Sequence, residues 1–514
     1  MPAGSVFQIL NGTTMASLSS VGRDPVPDQS TGLSHRHGNL VRRYTHAYGE
    51  WLRRHQSLIQ KLQWLVVCVY LALVAVPAFL PLPGRTASMW NNLTVFAQFA
   101  FWGIWWPFVL VSMVLVGRTW CGVFCPEGAL TEAVSRVGLG LAVPRWIRWK
   151  GWPFVAFVCT TVYGQMLSIY QYPMPVLLIL GGSTAGAMVI GYLYGKNKRV
   201  WCHYLCPVNG VFGLLTKLAP VHFKVDQDAW TRSQKSGDLG VHAVNCAPLV
   251  AIRTMRGASE CHMCGRCSDF RDAIACSPRS PDAEIVTVAG DTPRPWETLL
   301  IIFGLMGVAT GAFHWSASPW YIDIKQAAAT WLIDHDITWP LEIEPPWWIL
   351  THYPQQNDTM TLLDGGVLLF YIFATALILG VAISLGLAFA ALCLGATSSA
   401  DRFAARFHHL AQCLIPMAGC GVFLGLSATT VTLLKAEGMI IPFLPELREA
   451  LLAGAFLWCV WLAFEVSGRR LAGVVTNGGQ LQPAILVRRL GATLGVAAAA
   501  AIGVYSWALM FWIW

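Results

Sequence analysis

Three cysteines in seven residues, Cys261, Cys264 and Cys267, are the strongest chemical signal in the chain. C-x2-C-x2-C is a spacing that puts thiolates on three corners of a cuboidal [4Fe–4S] cluster. A tetrahedral zinc site instead pairs C-x2-C elements far apart. Three buried structural thiols would be out of place in so polar a loop. The common fourth ligand, three residues on and followed by Pro, is absent. Cys276 comes nine positions after Cys267 and is followed by Ser277 and Pro278, and Cys246, in the run NCAP, competes for the fourth corner.

A second constellation is duplicated. RTWCGVFCP, starting at Arg118, recurs as RVWCHYLCP at Arg199, with the Arg, Trp, both Cys and Pro offset by 81 residues. Cys121, Cys125, Cys202 and Cys206 therefore supply four thiolates, as many as one [4Fe–4S] cluster needs. One zinc or a dithiol relay are the alternatives, although redox pairs are more often C-x2-C. Two helices fall in each unit, so the units repeat in the same orientation about an axis along the membrane normal. Both cysteine pairs then lie on one face. Pro126 and Pro207 disfavour helix at the cysteine before them, so each motif should sit where a helix ends. Short amphipathic helices along the interface are expected to follow. Trp120, Trp201, Arg118 and Arg199 read as interfacial anchors, or, for the arginines, as charge compensation beside an anionic cluster.

The elements that must position these residues are membrane helices. The 514-residue chain is 55% hydrophobic and 12% charged, with a mean hydropathy of +0.52, outside the balance of a soluble protein. A span needs roughly 20 apolar residues. About nine segments qualify: 62–81, 93–116, 152–170, 176–194, 296–315, 363–394, 410–434, 450–466 and 490–514. The expected fold is an all-α polytopic membrane protein with a small cytoplasmic ferredoxin-like iron–sulfur domain. The net charge of +8 is spread between spans, which argues against nucleic acid. Arg42, Arg43, Arg53 and Arg54, and the basic loops 118–150, 196–199, 402–406 and 469–489, alternate with loops poor in Lys and Arg. That positive-inside pattern puts the N-terminus in the cytoplasm and Trp514 on the periplasmic side of a bacterial inner membrane.

Four parts are expected: a cytoplasmic tail 1–60, polar and in part disordered; a four-helix unit 61–215; the iron–sulfur domain 216–295; and a five-helix domain 296–514 with a periplasmic loop 316–361. Residues 1–40 lack the apolar core of a secretory signal. Of fifteen cysteines, nine fall in cytoplasmic loops and six in spans. A reducing compartment favours metal or redox chemistry over disulfides.

The paired RxWCxxxCP motifs at span ends, followed by C-x2-C-x2-C, resemble those of the membrane polyferredoxins over about residues 60–285. That group includes the membrane subunit of nitrate-reductase quinol dehydrogenase, the nitrous-oxide-reduction regulator, the cytochrome oxidase accessory protein and the ferredoxin of bacterial ferrous iron uptake. The resemblance implies two [4Fe–4S] clusters and electron transfer into or across the membrane. HHLAQCLIPMAGCGVFLGLS, from His408 to Ser427, is most similar to the iron-uptake member. An electron carrier or metal-ion reductase is then expected, with a cytoplasmic electron donor, an iron permease and periplasmic iron-binding or cupredoxin-like proteins as partners. Quinol oxidation or metal-centre maturation for a respiratory enzyme is the alternative, and a transporter or sensor with regulatory clusters a third.

Something must bridge the roughly 30 Å of hydrocarbon between the clusters and the far face. His314, His408 and His409 are candidates for haem or metal ligation, each with a plain reading as an interfacial histidine. SATT at 427–430 suggests a flavin attachment site or, more simply, hydroxyls that pack helices. His335 and His352, in a loop with Asp323, Asp334, Asp336, Glu342, Glu344 and Asp358, could dock a metal ion or partner. Cys393, Cys413, Cys420 and Cys459 read as packing residues, with Cys413, Met417 and Cys420 as an alternative soft-metal path.

Overall fold

The computed structural model describes residues 35–84, 86–235, 244–396, 401–472 and 483–514. The expectation of disorder in the N-terminal tail falls mostly on residues outside these. Helix α1 (His35–Arg54) leads into the first apolar helix, α2 (Gln56–Phe79). Next come α3 (Leu93–Val116), the short α4 (Pro126–Ser135), α5 (Trp152–Met166), α6 (Pro173–Tyr194) and the short α7 (Asn209–Leu215). Then follow α8 (Pro295–His314), α9 (Pro319–Asp334), α10 (Leu362–Leu394), α11 (Phe403–Ala436), α12 (Leu444–Leu471) and α13 (Pro483–Ile513). The protein is an all-α polytopic membrane protein.

Among the described residues, eight helices are long and apolar enough to cross a membrane: α2, α3, α6, α8 and α10–α13. The segment expected as a ninth span, 152–170, forms only the 15-residue α5. At about 1.5 Å per residue it covers roughly 22 Å. It stops early because Ser168 takes a left-handed turn, φ +51°, ahead of Pro173. Even so, α5 links both ends of the bundle. Trp149, just before it, meets the ring of Trp296 at 5.0 Å, and its last carbonyl, that of Met166, accepts from the Thr351 amide at 2.9 Å.

Helix α8 is the axis of the molecule: 72% of its apolar window is buried, against 22–39% for the other seven. Its Leu300, Ile301 and Leu305 share one core with Met113 of α3, Leu214 of α7 and Ile383 of α10. The cysteine-motif half and the C-terminal half thus have a common interior. A buried polar knot also joins them, because Lys217 donates to Glu297 at the start of α8 and to Gln412 on α11.

Outside the apolar bundle, β1 (Val221–Val225) pairs antiparallel with β2 (Ile274–Pro278), Phe223 opposite Cys276. Phe223, Trp230, Met255, Met263, Ile274 and Cys276 form a small core there, covered by α1, whose Gly49 abuts Cys276.

Small residues set the α10–α13 contact, since lipid gives helices little hydrophobic reason to associate and close van der Waals approach must do it. A Cβ on Gly495 would lie 2.7 Å from the Ala390 Cβ and 2.8 Å from the Gly386 carbonyl. Cys393 packs its thiol against Gly491 in the same seam. Gly495→Leu should therefore force the helices apart and cost about 1–3 kcal/mol, read as a lower thermal unfolding midpoint in detergent with helical content retained.

Candidate iron–sulfur centres

Each repeated motif ends a helix as its proline requires. Cys125 is extended (φ −61°, ψ 118°) and caps α4, its sulfur accepting from the Gly128 amide at 3.4 Å. Cys206 likewise lies outside helix, just after 200–204. Helices α4 and α7 follow the two motifs, but they are packed inside: Ala129, Leu130, Glu132, Val211 and Leu214 are all buried.

Cys121, Cys125, Cys202 and Cys206 all line one cavity of about 220 Å³. Burial pushes the Cys202 thiol up to about 12 and those of Cys125 and Cys206 well above their ordinary value. Left as thiols they are protonated at neutral pH, so taking up metal must release protons. Three residues that line the cavity each carry a buried polar atom with no protein partner: Trp106 Nε1, Arg118 Nε and His262 Nδ1. Four thiols and three unpartnered polar nitrogens suit an anionic, sulfur-rich group, so the residues present fit a [4Fe–4S] cluster.

The arginines sit deeper than an interfacial anchor would. Arg199 is 2% exposed; its Nη1 donates to the Cys121 carbonyl at 2.7 Å and its Nε to Glu132 at 2.7 Å. Arg118 donates to the Ser259 carbonyl and to Asn209. The indole N–H of Trp201 reaches the half-buried Glu127 carboxyl, which also accepts from Ser183. Burial raises the Glu127 pKa.

The C-x2-C-x2-C loop lies directly against the first motif. A Cβ on Gly122 would be 2.2 Å from the His262 carbonyl and 2.8 Å from the Cys264 amide nitrogen, so only glycine fits. Glu132 closes the same junction from the side, holding Arg199 and, at 2.7 Å, Arg266 of the loop. Burial works to raise the pKa of Glu132, but the two guanidiniums outweigh it and hold the carboxyl below its ordinary value. Helix α2 adds Gln63 to the Gly122 carbonyl and Gln56 to the Cys264 carbonyl, both at 2.9 Å. These polar groups, with Glu127 and His262, were missed in the sequence; a glutamine inside an apolar helix was the one available signal.

Of the two candidates for the fourth corner, Cys276 shares the small apolar core with Cys261 and Cys267, whereas Cys246 interacts electrostatically with the trio. Its thiol is raised first by burial and then by the charge of Cys264, and it in turn acts on Cys261 and Cys267. Cys276 is raised to about 12 by burial alone and stands in β2 beside Phe223. Among the described residues, no three His, Cys, Asp or Glu side chains gather tightly enough to hold a single metal ion. The thiols surround a space rather than a point.

The histidines are dispersed. His409 uses both ring nitrogens, on the Ile285 carbonyl and Arg470. His408 bonds Thr298, His335 bonds the Trp331 carbonyl, and His352 lies 3.4 Å from Glu344. His314 is buried between the rings of Trp507 and Trp514 with Nε2 unpartnered. In SATT, Ser427 bonds its own helix and Thr430 donates to the Gly103 carbonyl of α3, a helix-packing contact.

Fold and site together describe a polytopic membrane protein whose cysteine sets fit iron–sulfur clusters. Residues 98–150 and 177–226 match the family model of a 4Fe-4S binding domain, one stretch for each repeated motif. The chain is similar to YccM of Escherichia coli (strain K12), named as an electron transport protein, at 24% identity over 235 residues, 40% of this chain and 62% of the relative. It is also similar to the regulatory protein NosR of Pseudomonas aeruginosa, 24% over 202 residues, 34% of this chain and 27% of that one. The chain thus spans less than two thirds of each relative's length. No solved structure matches.

Removing the carboxylate at the junction should be costly, because two cations are then left facing each other in a largely buried site. Glu132→Ala is expected to destabilise by about 3–5 kcal/mol and to lower iron content. Iron analysis and thermal unfolding of the purified chain check this. Acid should act in the same direction: a lowered pKa contributes stability above the ordinary value of 4.5 that is lost as pH falls, so the junction should weaken below about pH 4.5.

Proposed function

We propose that this protein carries electrons from the cytoplasm towards the periplasm through two [4Fe–4S] clusters, one on Cys121, Cys125, Cys202 and Cys206, the other on Cys246, Cys261, Cys264 and Cys267. A [4Fe–4S] cluster supplies one-electron storage. The observation that carries the reading is the contact of Gly122 with the His262–Cys264 backbone, which joins the two ligand loops without intervening side chains. Among the described residues no three side chains gather around one ion, and such wide donor sets favour clusters over zinc. The basic loops support an inner-membrane orientation with both cysteine sets in the cytoplasmic half.

The finer proposal is iron uptake: electrons, one per ferric ion, reach the periplasmic side and yield ferrous iron for a permease. The similarity of the 408–427 segment to the iron-uptake ferredoxins supports it. A second reading is favoured by the cavity itself. It continues past the cysteines between Phe101, Trp102, Trp106 and Tyr170, an apolar, aromatic space suited to a lipid-soluble quinol as electron donor.

Iron and acid-labile sulfide should each reach about eight per chain; about four would remove the cluster of the repeated motif. Cys246→Ser should halve that content while Cys276→Ser leaves it, and the reverse result would exchange their roles. In proteoliposomes, reduced protein should be reoxidised by external ferric ion. Reduction by a quinol with no response to ferric ion would favour the second reading.

A further inference from the structure

His262 belongs by sequence to the C-x2-C-x2-C loop, but its ring is found at the other cysteine site. It is 4% exposed, lines the cavity of Cys121, Cys125, Cys202 and Cys206, and its Nδ1 has no hydrogen-bond partner. An unmet polar group at such depth is costly. The histidine of the second repeat, His203, which stands where the first repeat has Gly122, is satisfied, with Nδ1 at 2.9 Å from the Pro248 carbonyl. Geometry accounts for the placement. Met263 takes φ +52°, a conformation rarely adopted outside glycine, and Gly265 takes φ +75°. With Gly122 pressed on the His262 carbonyl, the loop is pinned so that this side chain enters the neighbouring site.

We propose that His262 is a positioning residue for the cluster it does not flank: its Nδ1–H donates a hydrogen bond to the cluster on Cys121, Cys125, Cys202 and Cys206, raising that cluster's potential. Hydrogen bonds to cluster sulfur are one of the levers that set potential. Arg118 Nε, also unpartnered at the same wall, would be a second donor. The inference rests on the two-cluster reading above. It adds that the loop of one cluster sets the energy of the next, so that their potentials are coupled by structure.

The test is a redox titration of the full chain in detergent, followed by electron paramagnetic resonance. Signals are assigned by their loss in Cys121→Ser and Cys264→Ser. His262→Leu should lower the midpoint of the Cys121-dependent signal, leave the Cys264-dependent one in place, and be corrected by His262→Gln, which keeps an N–H donor. A shift confined to the Cys264-dependent signal, or no shift, overturns the proposal while leaving two clusters intact. Iron near four per chain overturns it together with the two-cluster reading. Should His262→Leu fail to load, wild-type protein labelled with 15N-histidine decides the matter. A nitrogen coupling on the Cys121-dependent signal that His262→Gln removes is the supporting result, and its absence is the opposing one.

Discussion

The structure depends on one close contact, the backbone of Gly122 against the backbone of His262 to Cys264. No side chain separates the two cysteine loops there, and none could, because a single methyl group would overlap the carbonyl of His262. Everything nearby serves to hold that contact. Glu132 ties Arg199 of the second repeat to Arg266 of the C-x2-C-x2-C loop. Gln63 and Gln56 fix the carbonyls on either side of it from α2. Arg118 reaches across to the Ser259 carbonyl. Three of these groups are cations, Arg118 and Arg199 buried and Arg266 half-buried, beside sites that would become anionic on binding metal and sulfide. Their desolvation is offset by Glu132, by backbone carbonyls and, in the loaded protein, by the charge of the sites themselves.

The same junction explains why the extramembrane segment needs the membrane part. Among the described residues its sheet has two strands and its core a handful of side chains, too little to be stable by burial alone. It is held from below by the cysteine motifs, from the side by α1, and through Arg279 by the 216–217 carbonyls and Glu284. Glu284 in turn accepts from the Ala258 amide, three residues before Cys261. Lys217 then connects that region to Glu297 and Gln412. A continuous polar path therefore runs from the C-x2-C-x2-C loop to the base of α8 and α11, which gives the C-terminal helices a structural stake in the cysteine sites.

Much of the chemistry was legible because covalent spacing governs it. C-x2-C-x2-C places three thiolates by local geometry, and the duplicated C-x3-C-P places two pairs by symmetry. Apolar length announced the helices, and eight of about nine segments formed them at full length. The exception, 152–170, has the composition of a span but not the backbone, because the turn at Ser168 and the proline at 173 end it early. Arg118 and Arg199 read as interfacial anchors from their neighbours in sequence, and are interior because the second repeat folds over the first. Nothing local to a motif reports what another motif, 81 or 140 residues away, will press against it.

By itself, then, the sequence determined the kind of protein: membrane helices from apolar runs, thiolate ligand sets from cysteine spacing, and helix ends from proline. Each of these depends on residues within a few positions of one another. Only the tertiary structure set Cys246 within electrostatic reach of the loop cysteines and Cys276 in a strand packed into the same small core as Cys261. It likewise put His262 at the neighbouring site, and it made glycine the one residue that fits at position 122. Those outcomes depend on contacts between segments far apart in the chain, which hydrophobic pattern and spacing do not encode singly but which packing in a crowded interior fixes to within a few tenths of an ångström.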